Sequence, residues 1–228
     1  MCGRFGLWPD PQEVQSLFQL QEPLPLEPRY NIAPGQEILA IGQGSNQVRK
    51  ASSLLWGLVP HWAKESKTGY KMINARAESL WSKPAYKAAA KRRRCLIPAS
   101  CFFEWKRKEQ GAKQPYCIRP KSGDLFAFAG IWEHWEDSQS GQAINSCAIV
   151  TTHANEAVSE LHDRMPVIVS PGDYEVWLDR RVEQSENLQG LLEPCPSGEL
   201  EIYPVSTEVN SPKNDHPGVI EPEGDKDI

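Results

Sequence analysis

Short runs of apolar, β-branched and aromatic residues, separated by turn residues, recur along most of the chain. Such runs at Glu37 to Ile41, Ser53 to Val59, Cys95 to Ile97, Cys101 to Trp105, Tyr116 to Arg119, Leu125 to Trp132, Ile144 to Thr151, Val167 to Val169 and Glu201 to Val205 predict strands. Helical spacing is confined to a few places. Asp10-Pro11-Gln12-Glu13 places a capping acid, an early proline and a first-turn glutamate before Val14, Leu17 and Phe18. Pro84 to Arg93 is alanine-rich with proline early, Asn155 to Leu161 predicts one short helix, and Ser170-Pro171 opens another through Tyr174, Val176, Trp177 and Leu178. The predicted class is α+β, mostly antiparallel β, with a curved barrel-like core flanked by short helices. Residues 1–210 are expected to form one domain, and 211–228, rich in Pro, Gly, Asp and Glu, a flexible acidic tail.

Composition narrows the class. A chain of 228 residues is long enough to bury a sizeable core. Met1 to Leu20 carries Arg4, Pro9, Asp10, Pro11 and Glu13 without a long apolar run, so neither a signal peptide nor a membrane span is expected there. Six widely spread cysteines without a C-x-x-C pair point to a reducing compartment. Cys95, Cys101, Cys117 and Cys147 sit among apolar neighbours and are expected to be buried. No metal site is expected, since His61, His134, His153 and His216 show no ligand spacing.

The net charge of -5 conceals an asymmetry: Arg49 to Lys113 carries sixteen Lys/Arg against four Asp/Glu, leaving nine against twenty-six elsewhere. That stretch is basic enough to meet phosphate. Lys83, Lys87 and Lys91-Arg92-Arg93-Arg94 are interleaved with Trp56, Trp62, Trp81 and Trp105, and aromatic faces among cations suit single-stranded nucleic acid. The Lys91 to Arg94 run reads equally as cations at a helix C-terminus.

Candidate chemistry begins at Cys2. Once Met1 is removed, this residue presents a thiol and an α-amine on adjacent carbons. The amine titrates roughly 2 to 3 pKa units below a lysine amine, so a useful fraction is neutral near physiological pH. With an aldehyde it forms a Schiff base, and the thiol then closes a five-membered thiazolidine.

Four further segments combine polar groups with special local sequence. Asn74 and Arg76 lie two apart and face one side of an extended chain, suited to a sugar hydroxyl and its phosphate, or to a cap and a solvated cation. Glu104, within Cys101-Phe102-Phe103-Glu104-Trp105, either gains a raised pKa in an aromatic strand or shares a wet face with Lys106. His162, in Leu161-His162-Asp163-Arg164-Met165-Pro166, sits at a helix–strand boundary, as a site residue or a surface cap. Arg29-Tyr30-Asn31-Ile32-Ala33-Pro34-Gly35 is a rigid Pro-Gly loop whose own chemistry is ambiguous.

These segments, in this order, resemble the SRAP family, the abasic-site processing proteins also called SOS-response-associated peptidases. Trp56-Gly57-Leu58-Val59-Pro60-His61-Trp62 and Val205-Ser206-Thr207-Glu208-Val209-Asn210 extend the resemblance, which covers nearly the whole chain. It implies a protein that binds single-stranded DNA carrying an abasic site and crosslinks Cys2 to the ring-opened sugar aldehyde, with Schiff-base lyase and self-reversal activity. It also implies catalytic roles: Asn74 orients Cys2 and the sugar, Glu104 manages protons, and His162 assists ring opening and reversal. Arg4, Arg76 and Arg164 would contact phosphates, and Trp62 and Trp105 would lie against bases or line the site, with Thr151 and Pro34 on the same surface. No cofactor follows, and the expected molecule is a monomer in the cytoplasm, at the nucleoid in a bacterium or in the nucleus of a eukaryote.

Other classes compete for Cys2. N-terminal-nucleophile amidotransferases also begin Met-Cys-Gly, but Arg4 stands where they carry an aliphatic residue, and no His-Arg-Gly-Pro segment is present. Autocatalytic release of Met1 and noncovalent single-stranded DNA binding are the remaining alternatives.

Overall fold

Five strands close on one another around an apolar interior. The computed structural model describes residues 2–22, 24–44, 46–106, 111–183 and 185–223. Its strands are β1 (Phe5–Leu7), β2 (Arg29–Ile32), β3 (Glu37–Gln43), β4 (Arg49–Trp56), β5 (Asn74–Arg76), β6 (Arg94–Ala99), β7 (Cys101–Lys106), β8 (Gln114–Pro120), β9 (Phe126–Glu136), β10 (Ala143–His153), β11 (Arg164–Pro166) and β12 (Leu200–Pro204). The barrel runs β4-β3-β6-β9-β10 in antiparallel steps, and a parallel pairing of β10 with β4, Cys147 opposite Trp56, closes it. Closure removes the free sheet edges that a five-stranded sheet would otherwise expose.

A second, antiparallel sheet in the order β12-β8-β7-β1-β2 covers one end of this barrel. Alternation assigns its two faces. Phe5, Leu7, Phe102 and Ile118 join barrel residues Ile38, Leu54, Trp56, Phe128 and Ile149 in one buried cluster. On the reverse face, Cys101, Phe103 and Cys117 pack under Val205, Val209 and Val219. The strand carrying Glu104 is therefore covered on both sides.

Among the described residues the α-helices are short: α1 (Pro11–Leu17), α2 (Pro84–Arg92), α3 (Glu156–Ser159) and α4 (Tyr174–Leu178). The Asp10 side chain caps α1 by accepting from the Gln12 amide at 2.8 Å, and Asn155 caps α3 by accepting from Val158. The basic run at the end of α2 is tied into the fold. Arg92 pairs with Glu183 and Arg93 with Glu133, while the buried Arg94 guanidinium donates to the carbonyls of Ala90, Lys91, Trp177 and Asp179. Burial pushes Arg94 down to about 10. Arg94 clasps the end of α2, whereas Arg92 and Arg93 reach carboxylates, so all three arginines are already paired.

Two other expectations require correction. The strand expected over Val167 to Val169 lies one step earlier, at β11, because β10 pairs with Arg164 to Pro166; Ile168 makes only an isolated bridge to Phe128. The supposed tail from 211 is folded through Glu223. Asn31 donates to the carbonyls of Val209, Ser211 and Asn214; Asp215 accepts from the amides of Tyr30 and Asn31 and from Arg29; Val219 is buried; and Pro222 bridges Val205. Its polar residues satisfy backbone groups of β2, so a composition typical of linkers here makes a strap. Residues 224–228 of the expected tail lie outside the described residues.

Candidate functional site

The barrel wall and the covering sheet meet around Cys2. After β4, the chain leaves β10 at Gly57 and returns to the same edge of β10 as β5, with Asn74 opposite Ile149. Departure and return touch at two glycines. A Cβ on Gly57, whose φ is +141°, would lie 2.8 Å from the Gly69 carbonyl oxygen, so this crossing excludes larger residues. The return places Asn74 beside the N-terminal segment, where its Nδ2 donates to the Cys2 carbonyl at 2.9 Å. From the other side, the Phe103 amide donates to the Arg4 carbonyl at 3.0 Å, which docks the same segment against β7.

Cys2 is fully buried, and burial followed by the nearby Glu104 charge pushes its thiol well above the usual range. A thiol so held is neutral. Glu104 is only 3% exposed, which overturns a wet face: the residue shares the covered face of Phe102. Burial raises its carboxyl, and Asp163 adds to the rise. Glu104 therefore electrostatically connects Cys2 to the segment bearing His162.

His162 Nδ1 lies 2.9 Å from the Arg164 amide, which donates to it, and 2.7 Å from Asp163 Oδ1. Both contacts cannot be hydrogen bonds at once. A bare Nδ1 accepts from Arg164, whereas an Nδ1 that carries a proton donates to Asp163, so the two arrangements differ in where the ring holds its proton.

The expected phosphate and base contacts separate into two groups. Arg4 Nη1 donates to Asn31 Oδ1 at 2.7 Å and the Val209 carbonyl at 2.6 Å, and its guanidinium lies over Trp105. Arg164 makes a two-pronged pair with Glu78 and also donates to the Thr151 carbonyl at 2.6 Å. That pairing holds the Glu78 carboxyl below the usual range. Trp105 donates to Asn210 Oδ1 at 2.7 Å. By contrast, Arg76 is exposed and makes no ion pair among the described residues, and Trp62 is 56% exposed. Trp56 is buried and bonded to the Ile73 carbonyl, so it is unavailable for stacking. Thr151 is buried on β10 opposite Arg76, and Pro34 is half-buried in the turn before β3.

Sequence reasoning missed Tyr70, which is 70% exposed and packs its ring over Gly35, beside Pro34. Its position between Lys67 and Lys71 was the available signal. It also missed Asn31 as the hub joining Arg4 to the C-terminal strap, and Glu78 as the partner of Arg164. Among the described residues, no three of His, Cys, Asp and Glu gather as metal ligands, and no helix is long and apolar enough to cross a membrane.

Comparison with known proteins identifies the family and the fold. The profile described as SOS response associated peptidase (SRAP) matches residues 1–212. The chain is 44% identical over 225 residues to the abasic site processing protein YoqW of Bacillus subtilis, covering 97% of this chain and 99% of that protein. It is 28% identical to the abasic site processing protein YedK of Escherichia coli, covering 97% and 100%. A solved structure from Bacteroides thetaiotaomicron superposes with a TM-score of 0.85 at 23% identity, over 97% of this chain and 99% of that one, and supports the fold.

Proposed function

Because the chain belongs to the SRAP family, we propose that it processes abasic sites in single-stranded DNA by covalent capture at Cys2. The observation that carries this reading is the anchoring of Cys2: its carbonyl is held by Asn74, and its segment docks through the Arg4 carbonyl on the Phe103 amide, next to the buried Glu104. Removal of Met1 frees the α-amine. That amine attacks C1 of the ring-opened sugar, and the carbinolamine loses water to give an imine. The thiol sulfur then bonds to the imine carbon while its proton passes to nitrogen, closing the thiazolidine.

A buried neutral thiol suits this order. It is a poor first nucleophile, which disfavours thiolate attack on an amide, but it becomes competent once the imine carbon lies beside it. Glu104, with its raised affinity for a proton, supplies the acid for water loss and accepts a proton afterwards. His162 assists sugar-ring opening and the reverse reaction. The imine is also the branch point for β-elimination, the lyase outcome. Arg76 and Trp62 meet the strand directly, with Tyr70 beside Pro34, whereas Arg4 and Arg164 position the walls.

The test is denaturing electrophoresis after heating with abasic single-stranded DNA. Wild type yields a heat-stable adduct. Cys2→Ser retains the amine but loses the ring, so an equally heat-stable adduct from Cys2→Ser would refute the thiazolidine.

A further inference from the structure

The barrel has a second opening, away from Cys2. β6 has Cys95, its second residue, at this opening and leaves at Ala99 toward β7, in the sheet that bears Glu104. β10 likewise runs from Asn145 at this opening to Thr151 at the site, a span of about 20 Å for an extended strand. The cavity here measures about 520 Å³ and draws residues from all five barrel strands. That volume is in the range of pockets that hold small organic ligands.

Its chemistry is divided by depth. The buried side chains of Ala40, Leu54 and Cys95 make an apolar floor, and Trp132 adds an aromatic wall. Lys50, His134 and Arg180 stand at the exposed rim, and among the described residues no carboxylate lines the cavity. Lys50 and Arg180 make no ion pair among the described residues. His134 Nδ1 lies 2.9 Å from Asn145 Oδ1, which fixes the ring with Nδ1 as donor. Cys95 Sγ packs close to Gly130. Burial also pushes its thiol above the usual range, so the cavity is suited to binding and not to covalent attack.

We propose that this opening is a binding site for a mononucleotide, with the base against Trp132 and the apolar floor and the phosphate between Lys50 and Arg180. A planar ring carrying a compact anion matches both halves of the site, whereas a bare anion uses only the rim and an uncharged nucleoside only the floor. The assignment is independent of the chemistry at Cys2.

The experiment is isothermal titration of the full-length protein with adenosine monophosphate, adenosine and inorganic phosphate, each taken to millimolar concentration. Adenosine monophosphate is expected to bind saturably at one site, more tightly than either part. The double substitution Lys50→Ala with Arg180→Ala should weaken it by about tenfold or more, with crosslinking to abasic DNA unchanged as the control for folding. No saturable binding, binding indifferent to the double substitution, or phosphate binding as tight as the nucleotide would each overturn the proposal. Competitive displacement by an undamaged single-stranded oligonucleotide, lost on the same double substitution, would overturn it too by making the opening part of a strand-binding surface.

Discussion

The Asn74 side-chain amide donates to the Cys2 carbonyl at 2.9 Å, joining the barrel wall to the N-terminal segment across seventy-two positions of sequence. The donor strand is held in turn, since the Asn74 carbonyl accepts from the Tyr86 hydroxyl on α2 at 3.1 Å. Removing the amide should misplace Cys2 without opening the DNA surface. Asn74→Ala is expected to slow crosslinking by about tenfold, the worth of one positioning hydrogen bond. Quench-flow crosslinking at saturating DNA measures this, and binding of undamaged single-stranded DNA should not change.

Burial raises the Glu104 carboxyl, so the folded state holds its proton to higher pH than the unfolded chain does. Between the ordinary glutamate pKa and the raised one, the native state binds more protons, and stability falls as pH rises through that window. Glu104→Gln removes this penalty. Its melting temperature should exceed that of wild type at neutral pH, with the difference closing as pH falls below the ordinary glutamate range. The same variant should crosslink more slowly and lose the pH dependence carried by the carboxyl. Melting curves and crosslinking rates across a pH series read both effects.

The Glu78–Arg164 pair acts in the opposite sense. Arg164 depresses the Glu78 carboxyl, so its contribution is present above the ordinary glutamate pKa and is lost as pH falls through the depressed value. Glu78 is more than half exposed, which limits the effect of Glu78→Gln to about 0.5–1 kcal/mol at neutral pH. Chemical denaturation at neutral and acidic pH should show the two proteins converging in acid.

Asn31 ties four groups together: it accepts from Arg4 and donates to three carbonyls of the C-terminal strap. Asn31→Ala removes all four bonds, but Arg4 still reaches the Val209 carbonyl and the Ser211 carbonyl keeps the Asn214 amide, so the loss should cost about 1–3 kcal/mol. The strap should then become accessible to limited proteolysis near Ser211 before the barrel does.

Trp62 is expected to serve as a stacking face. Trp62→Ala should weaken single-stranded DNA binding by about tenfold, consistent with losing one base–aromatic contact, while leaving thermal stability near wild type because the side chain is exposed. Fluorescence anisotropy with a labelled strand measures the loss.

How legible the molecule was depended on element length and on what polar residues were paired with. β3, β6, β9 and β10 declared themselves because each buries alternating or continuous apolar residues in the barrel, whereas β4, expected over Ser53 to Val59, runs Arg49–Trp56 because its polar first half pairs with β3. β1 and β11 have three residues each, too few for any period to emerge, and owe their pairing to neighbours distant in sequence. The strap resembled a linker because Asn214 and Asp215 look solvated until β2 supplies their partners. At the site, Cys2 was legible from its position, and Glu104 only as one of two alternatives. Alternation decides a strand's faces when one is wet, and β7 has neither face wet over Cys101 to Glu104. Cationic runs were legible as charge but not as surface, since Glu133, which pairs with Arg93, and Trp177 and Asp179, which accept from Arg94, lie 40 and more residues away.

The most direct measurement is mass spectrometry of the protein after incubation with an abasic single-stranded oligonucleotide, followed by mapping of the modified peptide. Capture at Cys2 predicts a single adduct on protein lacking Met1, at the summed mass of protein and DNA less one water, located on the peptide that begins with Cys2. An adduct on a lysine, or on Cys2 in protein that still carries Met1, would contradict it.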